Sequence, residues 1–423
     1  MPSLQIPEFH AGQLAAYEAS GRFTVIRCGR RWGKTEYGKI IAESGSAHGD
    51  SVGWFAPDYK IMSEAYNQIL DDLSPIKKNA SKNDGVIHTI TGGRIDFWSL
   101  ENERAGRSRK YHHAIIDEAA FAKDSMEDIW NKAIKPTLLD YRGKCTVLST
   151  PNGIEPSNWF WKICNLKELG FVEYHAPTHT NPYLPKEELL KLEHENHPLV
   201  YRQEYLAEFV DFRGEAFFSL DKMLVNDEPV ETPQNVHSVF AVLDTAVKEG
   251  KEHDGTAVIY CAFSPYHGFP LVILDWDIIQ IEGALLETWL PGVYDNLNLW
   301  AKDCNSLNGH SGCHIEDKGS GMVLLQQAKR RGWPAHPIST KLTSLGKDER
   351  AINISGYIHR GMVKFSKYAH DKAIRYKGAE MNHMLNQIVS FRPGDKDARK
   401  RSDDALDVFL YAVSLALGDE DGY

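Results

Sequence analysis

The stretch at residues 24–35 constrains this chain most, because it joins a short apolar run, a glycine-containing turn and the sequence Gly-Lys-Thr. In a phosphate-binding P-loop, backbone N–H groups line an anion site, a lysine reaches the β- and γ-phosphates, and a hydroxyl ligates Mg²⁺. Lys34 and Thr35 occupy those two positions. Cys28 stands where the full pattern has glycine, and we interpret the loop as a variant because a small residue still lets a phosphate approach. The stretch predicts a nucleotide site.

A second apolar run, residues 112–116, ends in two carboxylates, Asp117 and Glu118. In P-loop ATPases a strand-end aspartate holds the Mg²⁺ shell, and a following glutamate activates the attacking water. Acidic residues are also favoured wherever a helix begins, so the pair alone is weak. A third apolar run, residues 145–150, ends in hydroxyls of the kind that sense a γ-phosphate. The order of the motifs, each behind a strand, favours an ATP and Mg²⁺ site on a mainly parallel α/β sheet.

Length and composition fit two soluble domains. The chain has 423 residues, of which 42% are hydrophobic, and no apolar run is long enough to span a bilayer. The amino-terminal residues lack a secretory pattern, and the six cysteines form no C-x-x-C pair, so we expect a reducing cytoplasm and no zinc site. The net charge of −10 means that any nucleic-acid contact must come from local basic patches, such as residues 396–401.

In the second half of the chain, carboxylates lie within a predicted strand, directly after another strand and at the start of a helix. Asp244 lies in the apolar run 239–246 and is expected in the middle of a buried strand, where an ionised carboxylate needs a partner such as a metal ion. Glu316 follows another strand, and Asp404 begins a helix with Asp407 one turn later. Singly, each acid is more ordinary as a cap or surface residue. As an ordered set they predict a site for divalent cations, of the kind that cuts phosphodiesters with two ions.

These motifs together resemble those of the large terminase subunit, the DNA-packaging motor of tailed bacteriophages. The resemblance rests on CGRRWGKT at 28–35, AIIDEAAF at 114–121 and VLSTPNG at 147–153, then on the acids Asp244, Glu316 and Asp404. Residues 347–351 and 361–365 also look like the run before the family's last helix. The resemblance spans nearly the whole chain. It implies a P-loop ATPase domain followed by an RNase H-like α/β nuclease domain. Around residues 210–235 the periodicity is lost and Gly, Pro and acidic residues accumulate, so we expect the ATPase domain over 1–210, a linker over 211–235 and the nuclease domain over 236–423.

The resemblance also implies roles for individual residues. Lys34 would neutralise the phosphates, Thr35 and Asp117 would hold Mg²⁺, Glu118 would activate water, and Gln13 would read the adenine edge. An arginine at 104, 107 or 109 would act on a neighbouring subunit's ATP, with no basis for choosing among Arg104, Arg107 and Arg109. The expected nucleotide-binding residues are Gln13, Cys28, Gly29, Arg30, Arg31, Trp32, Gly33, Lys34, Thr35 and Asp117. The expected ligands of one or two Mg²⁺ or Mn²⁺ ions in the nuclease are Asp244, Glu316 and Asp404, with Asp403 and Asp407 as alternatives to Asp404.

The partners implied by the resemblance are double-stranded DNA, a small terminase subunit, a portal protein and further copies of the chain in a ring, in the host cytoplasm. Two other classes stay open on the sequence. One is a P-loop helicase or repair ATPase fused to a nuclease, although no helicase motif is found between Asp117 and the linker. The other is a DNA-binding assembly protein that does not cut, in which the carboxylates are structural.

Overall fold

The computed structural model describes residues 4–123, 125–212, 217–245, 255–280, 285–394 and 403–418. The chain divides into two compact units, Met1–Glu193 with Pro198–Asp211, and His194–His197 with Phe212–Tyr423. Part of the segment expected to be a linker packs within the second unit, where Phe217 and Phe218 are buried and in ring contact with each other.

In the first half strands and helices are interleaved, except that the third to sixth strands follow one another with no α-helix between them. Its strands are β1 (Phe23–Cys28), β2 (Ser51–Ala56), β3 (Lys77–Ser81), β4 (Val86–Thr89), β5 (Arg94–Ser99), β6 (His113–Asp117), β7 (Lys144–Ser149) and β8 (Val172–Ala176). Its helices are α1 (Ala11–Glu18), α2 (Lys34–Ala47), α3 (Tyr59–Asp72), α4 (Met126–Ile129), α5 (Lys135–Thr137), α6 (Trp159–Asn165), α7 (Lys186–Glu195) and α8 (Pro198–Glu204), with a π-helical turn between α4 and α5.

These strands form one eight-stranded sheet in the order β3-β4-β5-β2-β6-β7-β1-β8. The pairs from β5 to β8 are parallel, and only the β3–β4 and β4–β5 pairs are antiparallel. The central strands are almost wholly buried, as their continuous apolar runs predict. Helix α2 packs close to the sheet, because a Cβ on Gly38 would come within 3.0 Å of Leu148 and Trp54.

The second unit contains another sheet. Its strands are β9 (Ser238–Asp244), β10 (Thr256–Phe263), β11 (Leu271–Ile279), β12 (His310–Ile315), β13 (Ala335–Pro337), β14 (Val363–Phe365), β15 (Ile374–Tyr376) and β16 (Ala379–Met381). Its helices are α9 (Leu286–Asp303), α10 (Ser320–Arg331), α11 (Thr340–Ser344), α12 (Lys347–His359), α13 (Lys367–Asp371), α14 (His383–Ser390) and α15 (Asp404–Leu417).

Six of these strands form a mixed sheet in the order β13-β12-β9-β10-β11-β14, and β15 with β16 forms a separate hairpin. Strand β10 runs antiparallel to both its neighbours, whereas β9–β12, β12–β13 and β11–β14 are parallel. Helix α15 is apolar over most of its length and packs against β9, β10 and β11. The predicted fold class, α/β with a mainly parallel first sheet and a second α/β unit, is confirmed.

One strand was not predicted from the sequence, and one detail of the sequence prediction was wrong. The region from Asn158 to Phe209 contains β8, which pairs in parallel with β1 at the edge of the sheet. Most residues of β8 face solvent, so the strand lacks an apolar signature. Asp244 is the last residue of β9 rather than its middle. Among the described residues, no helix is both long and apolar enough to cross a membrane.

Candidate functional site

The first cluster lies where three parallel strands end. Because β1, β6 and β7 run in the same direction, the residues that follow them meet at one edge of the sheet. The turn after β1 uses left-handed backbone at Arg31 (φ 63°) and Gly33 (φ 100°), after which α2 begins at Lys34. A glycine suits the second position because a side chain there would be strained. The N–H groups that open a helix of this length form an anion site.

Four predicted side chains meet at this edge. The Lys34 ammonium lies 2.9 Å from a carboxylate oxygen of Glu118. The Thr35 hydroxyl, in the first turn of α2, donates to Asp117 Oδ2 at 3.3 Å, although β7 lies between β6, which ends at Asp117, and β1, which leads to α2. Glu118 has left-handed backbone (φ 50°), which is uncommon for a residue with a side chain. A threonine hydroxyl beside an aspartate is the pair of ligands that Mg²⁺ requires in a P-loop.

Burial sets the electrostatics of this edge. Burial, and then the neighbouring Glu118 carboxylate, raise the pKa of Asp117 to about 7, against the opposing charge of Lys34. Burial lowers the pKa of Lys34, but Glu118, Cys28 and Asp117 outweigh it, so that the pKa ends above its ordinary value. The site therefore gathers more negative charge than Lys34 compensates, and a divalent cation fits that imbalance.

Other residues of the predicted loop are engaged by the protein. Cys28 is the buried end of β1, and burial raises the pKa of its thiol to about 12. A Cβ on Gly29 would collide with Thr178 and with the Tyr205 carbonyl, so this glycine serves close packing. The Arg30 guanidinium pairs with Glu204 at 2.6 Å. The Trp32 indole is buried. Arg31 is exposed.

Gln13 is buried and contacts the loop from α1. Its amide donates to the Gly33 carbonyl at 2.9 Å, and its oxygen accepts from the His10 backbone N–H at 3.1 Å. His10 was not predicted from the sequence; it caps α1 through Nδ1 and donates to the Trp32 carbonyl through Nε2 at 3.0 Å. These partners define a neutral tautomer with the proton on Nε2. A histidine at a helix start is an unusual cap, and that was its only signal in the sequence.

The hydroxyls after β7 lie beside Glu118. Ser149 accepts from the Ala120 N–H at 3.1 Å and is 3.5 Å from Glu118 Oε2. The Thr150 hydroxyl is buried and has no hydrogen-bond partner among the described residues. A buried hydroxyl in this state is costly unless a ligand or water satisfies it. The Thr150 hydroxyl is thus placed to form a hydrogen bond with a polar ligand at this edge of the sheet.

The three arginines of the loop before β6 differ in their contacts. The Arg109 guanidinium lies 3.7 Å from the buried Asp96 carboxylate and packs over the Trp98 ring. Arg104 and Arg107 instead line a surface pocket with Ser125 and other residues. Arg109 is therefore tied to the core of its own unit, whereas Arg104 and Arg107 reach the surface.

The second cluster forms at the end of β9. The parallel register pairs Leu243 with Ile315, so the next residues, Asp244 and Glu316, are neighbours at the edge of the sheet. Gly321 lets α10 begin there, because a Cβ would lie 1.9 Å from the Glu316 carbonyl. Asp404, the first residue of α15, is buried and accepts from the Tyr376 hydroxyl at 3.1 Å. The structure thus brings all three predicted acids to one place.

Charge repulsion within this cluster is strong. Burial raises the pKa of Asp244 to about 8, and the carboxylates of Asp407, Glu316 and Asp404 raise it as well, against Arg350. Among the described residues, no group of three or more potential ligands is arranged to hold a metal ion as it stands. Glu316 is paired with Lys318 at 2.8 Å. The surplus of carboxylates fits a divalent cation.

Two cations on α12 hold the acids that the sequence left as alternatives. Lys347 pairs with Asp403 and lies 2.7 Å from Asp407, and Arg350 lies 2.9 Å from Asp407. Arg350 also packs over the Tyr411 ring at 4.2 Å. These pairs would compete with a metal ion for Asp403 and Asp407. The basic run 396–401 lies outside the described residues.

The chain is similar in sequence to the large terminase subunits of several phages, although no protein-family model matches it. It is 22% identical over 411 residues to the terminase large subunit of Thermus phage G20c, covering 84% of this chain and 77% of that protein. It is 27% identical over 174 residues to that of Escherichia phage T5, covering 38% of each.

Solved structures agree with the sequence similarity. The large terminase of a thermophilic bacteriophage superimposes with a TM-score of 0.66 at 14% identity, covering 98% of this chain and 100% of that one. The same phage protein in complex with ADP gives a TM-score of 0.64 at 15% identity, covering 97% and 100%. The resemblance found in the sequence is confirmed: the chain is a homologue of terminase large subunits and has the fold of bacteriophage large terminases.

Proposed function

We propose that this chain is a DNA-packaging motor subunit that hydrolyses ATP to translocate double-stranded DNA into a procapsid and cuts concatemeric DNA with a metal-dependent endonuclease. The observation that supports the proposal most strongly is that one chain contains two separate clusters of acidic side chains, each with a lysine paired to one of the acids. One is Lys34, Thr35, Asp117 and Glu118 at a P-loop, and the other is Asp244, Glu316 and Asp404 at the end of a mixed sheet. The thermophilic-phage terminase was also solved with ATP-γ-S, which supports nucleotide binding here.

In the first unit, the helix start and the turn before it would cradle the phosphates of ATP. Lys34 would exchange Glu118 for the β- and γ-phosphates, and Thr35 with Asp117 would hold Mg²⁺, which screens the charge that develops on the phosphates. Glu118, freed from Lys34, would orient and deprotonate water. The Thr150 hydroxyl, which has no hydrogen-bond partner among the described residues, would form a hydrogen bond with the γ-phosphate of the nucleotide. The 2.9 Å pair between Lys34 and Glu118 thus describes a resting arrangement.

Arg104 and Arg107 are the better candidates for action on a neighbouring subunit's ATP. Both lie at a surface pocket, whereas Arg109 is bound to Asp96 within its own unit. A guanidinium supplied by a neighbour would stabilise the transition-state charge. This role requires the homo-oligomeric ring that we propose for packaging.

In the second unit, Asp244, Glu316 and Asp404 would bind Mg²⁺ or Mn²⁺, and we propose two ions, because three neighbouring carboxylates carry more charge than one divalent cation neutralises. When bound, the metal supplies an activated water and neutralises the leaving oxygen. Lys347 and Arg350 would keep Asp407 and α15 in position beside the ligands. A cleavage rate that rises with the square of the Mn²⁺ concentration, when the metal is scarce, would indicate two ions. Residues 1–210 and 236–423 would be the two catalytic domains.

The remaining partners follow from the same proposal. No base-reading element was recognised in the sequence, so choice of the packaging site would fall to a small terminase subunit, and docking to a portal protein. The chain would act in the host cytoplasm while it is bound to the procapsid.

Two substitutions in the full chain test the proposal. Lys34→Ala should lower ATP turnover at least ~100-fold, because the phosphates lose their cation, and should leave plasmid cleavage with Mn²⁺ unchanged. Asp244→Asn should abolish Mn²⁺-dependent cleavage and leave ATP turnover unchanged. Phosphate release and plasmid nicking, each with and without EDTA, measure the two activities.

Opposite outcomes would favour the other classes. Strand separation of a forked duplex by the native chain would favour a helicase. No cleavage with any metal, together with unchanged DNA binding by Asp244→Asn, would favour an assembly protein. ATP turnover that survives Lys34→Ala would remove the P-loop from the mechanism.

A further inference from the structure

Tyr183 is a large aromatic side chain that lies beside the P-loop without being part of the core. Its side chain is 77% exposed, although the residues just before it are hydrogen-bonded to the P-loop. Its ring lies 6.1 Å from that of His10 at an angle of 81°, and His10 Nε2 would lie 3.7 Å from a Cβ on Gly33. One ring therefore connects Tyr183 to the turn that precedes α2.

The segment that carries Tyr183, residues 178–183, is bonded to three successive residues of the loop. The Thr178 hydroxyl donates to the Arg30 carbonyl at 2.7 Å, and the Asn181 amide donates to the Arg31 carbonyl at 2.8 Å. The Trp32 indole N–H donates to the Thr180 hydroxyl at 2.9 Å. The position of this segment is thus set by the P-loop itself.

Asn181 also fixes the backbone at Tyr183. Its side-chain oxygen accepts from the Tyr183 N–H at 2.9 Å, which closes a turn of the kind that asparagine favours. An exposed tyrosine on a mobile loop would not by itself indicate a binding role, since single exposed apolar residues are normal. An exposed ring on a segment held by this many bonds presents a flat surface in a fixed place.

We propose that Tyr183 stacks on the nucleobase of the bound nucleotide. This inference rests on the proposed ATPase function and adds a residue that supports the base rather than the phosphates. A phenol ring offers a π-face to any base, and such stacking tolerates different bases. Gln13 is already bonded to Gly33 and His10, so the ring supplies affinity that the glutamine amide does not. The bond from His10 Nε2 to the Trp32 carbonyl fixes the orientation of the imidazole that contacts the Tyr183 ring.

The experiment measures binding of MgADP and of magnesium pyrophosphate to the full chain by calorimetry. Pyrophosphate has the phosphates but no base, so the two ligands separate a base contact from a loop defect. Tyr183→Ala should raise the Kd for ADP about tenfold and leave the Kd for pyrophosphate within about twofold. Tyr183→Phe keeps the π-face and should bind both ligands as the native chain does.

Tyr141→Ala is the matched control, because Tyr141 is also an exposed tyrosine of the first unit but lies between α5 and the start of β7, where the strand begins rather than ends. It should leave both affinities unchanged. An unchanged Kd for ADP in Tyr183→Ala, or an equal loss for both ligands, would overturn the inference. If the native chain binds neither ligand, the nucleotide site itself is wrong and the inference fails with it.

Discussion

Glu43 tests how burial controls stability in the first unit without involving catalysis. It lies on α2 with its carboxyl buried, and Oε1 has no hydrogen-bond partner among the described residues. Burial, and then the Asp72 carboxylate, raise the pKa of Glu43 from 4.5 to about 8, although Lys39 opposes them. The Lys39 ammonium is itself held by Asp72 at 2.8 Å and by Glu36 at 3.1 Å. Glu43 is therefore expected to be protonated in the folded chain at neutral pH.

The sign of the pH effect follows from this shift. The folded chain keeps the proton up to about pH 8, whereas the unfolded chain releases it near pH 4.5. The contribution of Glu43 to stability is thus fully present below pH 4.5 and is lost as the pH rises through 8. One pKa unit corresponds to about 1.4 kcal/mol, so the loss between about pH 5.5 and 8 is roughly 3 kcal/mol.

Glu43→Gln replaces the carboxyl with an amide of similar size that does not titrate. Near pH 5.5 we expect the Tm of the variant to lie within about 2 °C of the native Tm, whereas near pH 8.5 it should be roughly 5–10 °C higher. Scanning calorimetry of the full chain at several pH values measures both. The control is Glu36→Gln on the same helix, which removes a half-exposed partner of Lys39 and leaves the Glu43 carboxyl in place, so that the fall in Tm from low to high pH should remain.

A lower Tm for Glu43→Gln at high pH would refute the reasoning. It would mean that Glu43 is ionised in the folded chain and that Lys39 needs its charge. A shift of equal size at all pH values would show that the amide changes packing instead, and that the carboxyl does not carry the proton.

Two further predictions concern cationic side chains. Arg350→Ala should destabilise the second unit by about 3 kcal/mol in calorimetry, because it leaves the half-buried Asp407 carboxylate with fewer partners; unchanged stability would show that Lys347 suffices. Arg109→Ala should lower the Tm of the first unit because Arg109 contacts the buried Asp96. Arg104→Ala and Arg107→Ala should keep the Tm, and at least one of them should lower ATP turnover; the reverse pattern would assign the trans role to Arg109.

Short-range patterns in the sequence were enough to locate most of the fold. The apolar runs of β1, β6 and β7 and the residues that follow them are contiguous in the chain, so the edge that gathers Lys34 and Asp117 could be predicted. Strand β8 could not, because it lies at the sheet's edge and is largely solvated, so pairing with β1 rather than its own composition makes it a strand.

Contacts between distant residues were beyond the sequence. His10 contacts the P-loop only because α1 lies beside Trp32. The segment that carries Tyr183 reaches the same loop through its hydrogen bonds to Arg30 and Arg31. Likewise, the ion pairs of Asp403 and Asp407 are made by α12, whose Lys347 and Arg350 lie far away in sequence. Such pairs form through tertiary packing and leave no local period or motif.

The two clusters share one electrostatic arrangement. In each, a cation of the protein is bonded to an acid of the site: Lys34 to Glu118 in the first unit, and Lys318 to Glu316 in the second. A half-buried carboxylate is costly without a counter-charge, and an internal lysine supplies it. A phosphate would compete for Lys34, and a divalent cation would compete for Glu316, so binding exchanges one ion pair for another rather than placing an unpaired charge in a buried site. On the proposed function, this exchange would let each cluster remain folded before its ligand arrives and still bind it.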